Sequence, residues 1–175
     1  VKKSENYNDV TAKAVFNATA KNVTFELDNL EQTYGKVTDV IVKPGEPGVD
    51  YDISYGGGAA LPENAGKYKV TVTAKGPNYR GSASDTLVIN KASAAGEIVM
   101  DSSFTYGGNA VSASVINNPQ GTNAEITYAG TGIYIPQSAA PVNAGTYTAI
   151  ATISGANYET LTVTKSFKIE KAQLK

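Results

Sequence analysis

Cysteine, histidine and tryptophan are all absent from this 175-residue chain, and methionine occurs once. Without cysteine there is neither a thiolate nucleophile nor a disulfide, and without histidine the commonest general base and a usual zinc ligand are missing. The lack of cysteine leaves the compartment open, because it suits a cytosolic protein and equally an extracellular one that does not rely on disulfides. Charge of one sign is also lacking: 15 Lys+Arg stand against 16 Asp+Glu, a formal net charge of −1. With no basic field to gather phosphates, nucleic acid is not an expected partner. The sequence holds no run of 18 apolar residues, no signal-peptide pattern and no anchor motif, so a membrane is expected to be reached only through an anchor outside these residues.

What the chain does have is a repeat. Asn64-Ala65-Gly66-Lys67-Tyr68 returns as Asn143-Ala144-Gly145-Thr146-Tyr147, and each copy is followed by Asn-Tyr (Asn78-Tyr79, Asn157-Tyr158) and then by a strand-like run closing on Lys-Ala (Lys91-Ala92, Lys171-Ala172). Tyr34-Gly35 recurs at Tyr106-Gly107, an offset of 72, whereas Asn64 recurs at Asn143, an offset of 79. The second copy therefore carries seven extra residues, placed between Tyr128 and Pro141, where Ala129 to Gln137 replaces the short Gly56-Gly57-Gly58 turn. A partial third copy opens the chain: Asn6-Tyr7 leads into Val10, Ala12, Ala14 and Phe16, which alternate as a closing strand does. Residues 1–18 are accordingly expected to be the closing strand of a preceding repeat or an extra edge strand, 19–92 the first unit and 93–175 the second. The chain reads as a piece cut from a longer array. Units of this size lie near the lower limit for a self-sufficient core, so neighbouring repeats are expected to support one another.

Strand periodicity runs through both units. Lys67 to Lys75 puts Tyr68, Val70, Val72 and Ala74 on one face and Lys67, Lys69, Thr71, Thr73 and Lys75 on the other. Tyr147, Ala149, Ala151 and Ile153 alternate in the same way. Further strands are predicted at 23–27, 36–42, 49–55 and 82–90 in the first unit, and at 97–100, 110–116, 124–129 and 159–169 in the second, five per unit. The turns between them carry Gly, Pro and Asn. A helical turn is plausible only at Asp28 to Gln32 and Ser112 to Asn117. Short strands with such punctuation predict an all-β fold of two small sandwiches in tandem.

Candidate chemistry is sparse. Asp50 with Asp52, or Asp28 with Glu31, are conceivable acid pairs, but neither recurs in the other unit and both sit beside turns, as solvated carboxylates do. No Asp-rich loop has the spacing that calcium needs, and Gly56-Gly57-Gly58 lacks the Lys-Ser/Thr and helix of a phosphate cradle, so no metal and no cofactor is expected. Asn17-Ala18-Thr19 and Asn22-Val23-Thr24 match the glycosylation sequon, a pattern that chance supplies often. Of 11 tyrosines, nine follow the repeat (34 with 106, 55 with 128, 68 with 147, and 7 with 79 and 158) and are expected to build equivalent cores, each hydroxyl free to pin a loop. Tyr51 and Tyr134 are left over, the latter between Ile133 and Ile135 in the insert.

Asn-Ala-Gly-x-Tyr, then Gly-x-Asn-Tyr, then an alternating strand ending in Lys-Ala, introduced by Tyr-Gly and by Tyr51-Asp52-Ile53-Ser54-Tyr55, resembles the bacterial extracellular repeat modules called MBG or bacterial Ig-like domains, over residues 19–172. That resemblance implies two Ig-like modules in an elongated arrangement, an extracellular or cell-surface location, and a stalk, spacer or adhesion role without catalysis. It carries over no active-site residues. The Ile133-Tyr134 insert departs from the pattern, which makes Ile133, Tyr134 and Ile135 the candidate ligand-binding residues, with a host or cell-surface glycan or protein as partner. The rival reading is a carbohydrate-binding accessory module of a secreted glycoside hydrolase, which requires exposed, coplanar aromatics on one face.

Overall fold

The computed structural model describes residues 13–174 and, at Tyr134, the backbone alone; the opening of the partial third copy, with Tyr7, Val10 and Ala12, lies outside the described residues. Among the described residues every regular element is a strand. The first unit contains β1 (Lys21–Asn22), β2 (Phe25–Asp28), β3 (Glu31–Thr33), β4 (Ile41–Pro44), β5 (Tyr51–Tyr55), β6 (Gly66–Ala74), β7 (Tyr79–Arg80) and β8 (Ser82–Asn90). The second contains β9 (Ala92–Ser93), β10 (Glu97–Val99), β11 (Ser103–Thr105), β12 (Ser114–Ile116), β13 (Asn123–Gly130), β14 (Ile133–Gln137), β15 (Gly145–Gly155) and β16 (Tyr158–Glu170). Residues 13–20 form no strand, and Phe16 is 91% exposed.

Each unit has two layers. In the first, a sheet ordered β3-β8-β6-β5 faces the antiparallel pair β2-β4; in the second, β11-β16-β15-β13-β14 faces β10-β12. The period-two pattern decides which residues lie between the layers: Val70, Val72, Leu87 and Ile89 are buried in one unit and Ala149, Ala151, Ile153 and Phe167 in the other, while Lys67, Lys69 and Thr73 face water. Each unit fills its own core, and among the described residues no cluster of buried residues crosses from one to the other. Both units also run their first long-sheet strand parallel to the last: Glu31 pairs with Val88 and Ser103 with Lys168.

The structure corrects the helical turns. Glu31–Thr33 is a strand where a turn of helix was plausible, and Ser114–Ile116 is another. Asn29 adopts a left-handed φ of 60°, which turns the chain out of β2 and across into the larger sheet at β3. The buried Gln32 then braces the following loop: its amide donates to the Asn29 carbonyl (2.7 Å) and the Thr38 carbonyl (3.0 Å) and accepts from the Thr38 amide (2.7 Å). That loop occupies residues given to a strand at 36–42, and pairing begins only at Ile41.

Repeated tyrosines fix repeated loops. The Tyr68 hydroxyl donates to the Asn64 carbonyl and that of Tyr147 to the Asn143 carbonyl, both at 2.9 Å. The Tyr128 hydroxyl accepts the Ala113 amide at 2.8 Å. Its counterpart Tyr55 accepts a hydrogen bond from the Val40 backbone, and burial raises its phenol above the ordinary value of 10.0.

Candidate functional site

The seven extra residues of the second unit make a hairpin. β13 runs on to Gly130, turns through Thr131 and Gly132, and β14 returns antiparallel, with Gly130 opposite Ile133 and Tyr128 opposite Gln137. Thr131 clips the turn to β15: its amide donates to the Thr146 carbonyl at 3.0 Å and its hydroxyl accepts the Thr146 amide at 3.0 Å. In the first unit the same place holds only a tight turn, closed by mutual backbone bonds between Tyr55 and Gly58. Of the candidate ligand-binding residues, Ile133 is half-buried and packs against the core of its unit, whereas Ile135 is 81% exposed on the sheet edge. The side chain of Tyr134 lies outside the described residues.

The candidate acids are spread over exposed strand edges. Asp28 of β2 is paired with Lys43 of β4, and Asp52 of β5 with Lys75 of β6 at 3.0 Å. The hydrogen bond that Lys43 donates to the Asp28 carboxylate raises the pKa of its ammonium above the ordinary value. Glu31 accepts from the Asn90 amide at 3.2 Å. Among the described residues, no three acidic, histidine or cysteine side chains cluster as metal ligands would.

A second site emerges from elements that the repeat motifs place at the junction. β9, which follows Lys91, adds parallel to the start of β16, pairing Ala92 with Tyr158 and Ser93 with Glu159. The Ala92 amide donates to the Asn157 carbonyl at 2.9 Å. This repeats the first unit, where β1 adds parallel to β7 and the Lys21 amide donates to the Asn78 carbonyl, also at 2.9 Å. The Asn157 side chain is thereby aimed back at the first unit: its oxygen accepts the Ala65 amide and its nitrogen donates to Asn64 Oδ1, each at 2.9 Å. Tyr158, next in sequence, meets Tyr34 edge to face. The loop that receives Asn157 is itself fixed by the Tyr68 bond to the Asn64 carbonyl. Gly66 keeps that loop compact, since a Cβ there would come within 3.2 Å of the Tyr68 hydroxyl.

These positions correct the expectation that all nine repeated tyrosines build equivalent cores. Tyr55, Tyr128 and Tyr147 are buried and Tyr34 packs against the first core, but Tyr34 also meets Tyr158 across the junction, and Tyr106, the counterpart of Tyr34, is 43% exposed. The two asparagines of the joint were legible as repeated letters and not as partners. What could have suggested them is that Asn64 and Asn157 recur at Asn143 and Asn78 although asparagine is poorly suited to strands.

The family model described as "MBG domain" matches residues 21–93, from β1 to the end of β9, and again residues 98–173, from within β10 to beyond the end of β16. A comparison with curated proteins finds no match.

Proposed function

We propose, from the premise that the chain belongs to the MBG domain family through both of its units, that it serves as a non-catalytic spacer in a bacterial cell-surface or secreted protein. The observation that carries this reading is the joint. The Asn157 side chain bonds both Asn64 and Ala65, while the backbone of the same residue holds the linker strand at Ala92. Three hydrogen bonds converging on one residue fix an angle between units whose cores are separate, and a fixed angle is what converts a string of small domains into a strut. Small-angle scattering tests it. The expected particle is elongated; a radius of gyration near ~16 Å, the scaling value for one compact domain of this length, would overturn the spacer reading.

A second reading, adhesion, is favoured by one observation: the β13–β14 hairpin found in the second unit alone carries Ile135 into solvent on a sheet edge. An apolar group held on a rigid hairpin costs little to desolvate and suits contact with a host or cell-surface glycan or protein through the stretch Ile133, Tyr134 and Ile135. Binding of the intact chain to an array of glycans and surface proteins, lost on Ile135→Asp, is the corresponding experiment.

A further inference from the structure

The parts that receive Asn157 on the first unit have counterparts on the second. Asn143 stands at the position of Asn64, and its carbonyl is held by Tyr147 as that of Asn64 is held by Tyr68, both at 2.9 Å. Tyr106 stands at the position of Tyr34, its amide donating to Glu170 at 2.8 Å as that of Tyr34 donates to Asn90 at 2.9 Å. The cleft beside the first joint is lined by the run Ala65 to Lys67 and the end of β8, and is completed by Glu159 of the second unit. The same cleft recurs on the second unit between the run Ala144 to Thr146 and the end of β16, lined by second-unit residues throughout. A further hollow joins Tyr106 to Asn143 and Ala144. Among the described residues the Asn143 side chain has no hydrogen-bond partner, and Tyr106 has no ring against it comparable to the one Tyr158 places against Tyr34.

We infer that the Asn143–Tyr106 end of the second unit is a docking surface for the Gly-x-Asn-Tyr corner of another unit of the same kind. The asparagine of that corner seats between Asn143 Oδ1 and the Ala144 amide, and its tyrosine covers Tyr106. The chemistry commits the surface to this occupant. It offers one backbone donor and one amide oxygen at the places where Ala65 and Asn64 offer theirs to Asn157, beside an exposed aromatic ring. Lys168 and Glu170 line this cleft where Val88 and Asn90 line the first, and they pair with each other at 2.7 Å, while Lys171 lines it as its counterpart Lys91 lines the first. Tethering raises the effective concentration enough for so small a contact to close. The inference rests on the spacer reading and extends it by making the joint a device repeated on each unit.

The test lengthens the intact chain by a second copy of residues 92–174 placed directly after Lys171, so that the new junction repeats Lys91-Ala92, and follows amide hydrogen exchange at Ala144. The expected result is that Ala144 slows by about tenfold, the scale of one net hydrogen bond, and speeds up again when the appended copy carries the Asn157→Ala change. Ala65 is the internal control. If Ala65 is protected and loses protection on Asn157→Ala in the chain itself, while Ala144 is unchanged by the added unit, the inference fails and the spacer reading stands. If Ala65 is unprotected from the start, the joint fails and takes both with it. Slowing of Ala144 by free oligosaccharides, and not by the added unit, would overturn the inference in favour of a glycan surface.

Discussion

Tyr34 and Tyr158 meet across the junction with ring centroids 5.4 Å apart and planes inclined at 77°, the edge-to-face arrangement that aromatic quadrupoles favour. Tyr34 also packs against the core of the first unit, whereas the Asn157 side-chain hydrogen bonds involve no buried core residue, so those bonds orient the units and contribute little to either fold. Asn157→Ala is therefore expected to cost about 1–2 kcal/mol, the scale of two net hydrogen bonds lost to water, while freeing the angle between units. Nuclear spin relaxation should report one shared tumbling frame in the parent chain and two in the variant. A single frame in both would show that the asparagine is dispensable.

Separate cores predict separate unfolding. Leu87 is fully buried in the first unit and Ile169 almost so in the second. Leu87→Ala should cost about 2–5 kcal/mol and lower the melting of the first unit by about 10 °C or more, leaving the second near its parent value; Ile169→Ala should do the reverse. Calorimetry with residue-resolved exchange distinguishes the two transitions. Equal loss in both units from either variant would mean that the joint couples them strongly.

The Tyr55 phenol gives a pH signature. Burial raises its pKa above the ordinary 10.0, so beyond that pH the unfolded chain releases a proton that the native state still holds. Its contribution is complete below pH 10.0 and falls as pH rises through the interval up to the folded value. Denaturant unfolding between about pH 8 and 11 should show a steeper alkaline decline in the parent than in Tyr55→Phe, which cannot ionise. The variant should also sit lower at neutral pH by about 1 kcal/mol for the lost Val40 bond. Parallel profiles would remove Tyr55 from the alkaline transition.

Gly81 lies between β7 and β8 with φ 152°, and a Cβ there would stand 2.0 Å from the Val23 carbonyl oxygen. The backbone cannot move away without parting β1 from β7, because the Val23 amide is bonded to Arg80. Gly81→Ala should therefore destabilise the first unit by several kcal/mol, roughly 3 or more, as a steric conflict with backbone does. A melting temperature unchanged within about 2 °C, less than 1 kcal/mol for a unit of this size, would contradict this geometry.

The long strands were legible because they are long. Ser82–Asn90 matches the predicted span residue for residue, and Gly66–Ala74 lies within one residue of it, since nine positions display a period of two without ambiguity. Glu31–Thr33 and Ser103–Thr105 have three residues each, too few for a period to show, and their pairing is parallel to strands more than 50 residues away. No local signal announces such a partner. The joint was hidden for a related reason: a repeat reveals that Asn64 and Asn157 recur, but whether a recurring residue supports its own unit or grips the next depends on three-dimensional placement.

The hairpin of the second unit separates packing from recognition within three residues. Ile133 rests against the core cluster while Ile135 is exposed, so the two isoleucines should respond oppositely to substitution. Ile133→Ala is expected to cost about 1–2 kcal/mol, below the 2–5 kcal/mol of a fully buried site because the residue is only half-covered. Ile135→Asp should stay within about 0.5 kcal/mol, as surface changes do, and should reduce edge-to-edge association, since a charge on an exposed edge strand opposes pairing with another chain. If the hairpin serves adhesion, Ile135→Asp removes ligand capture at unchanged melting temperature, and Ile133→Ala weakens capture only as far as it loosens the hairpin. Ligand capture that survives Ile135→Asp at parental affinity would take the edge strand out of recognition and leave β14 as a cover for the core.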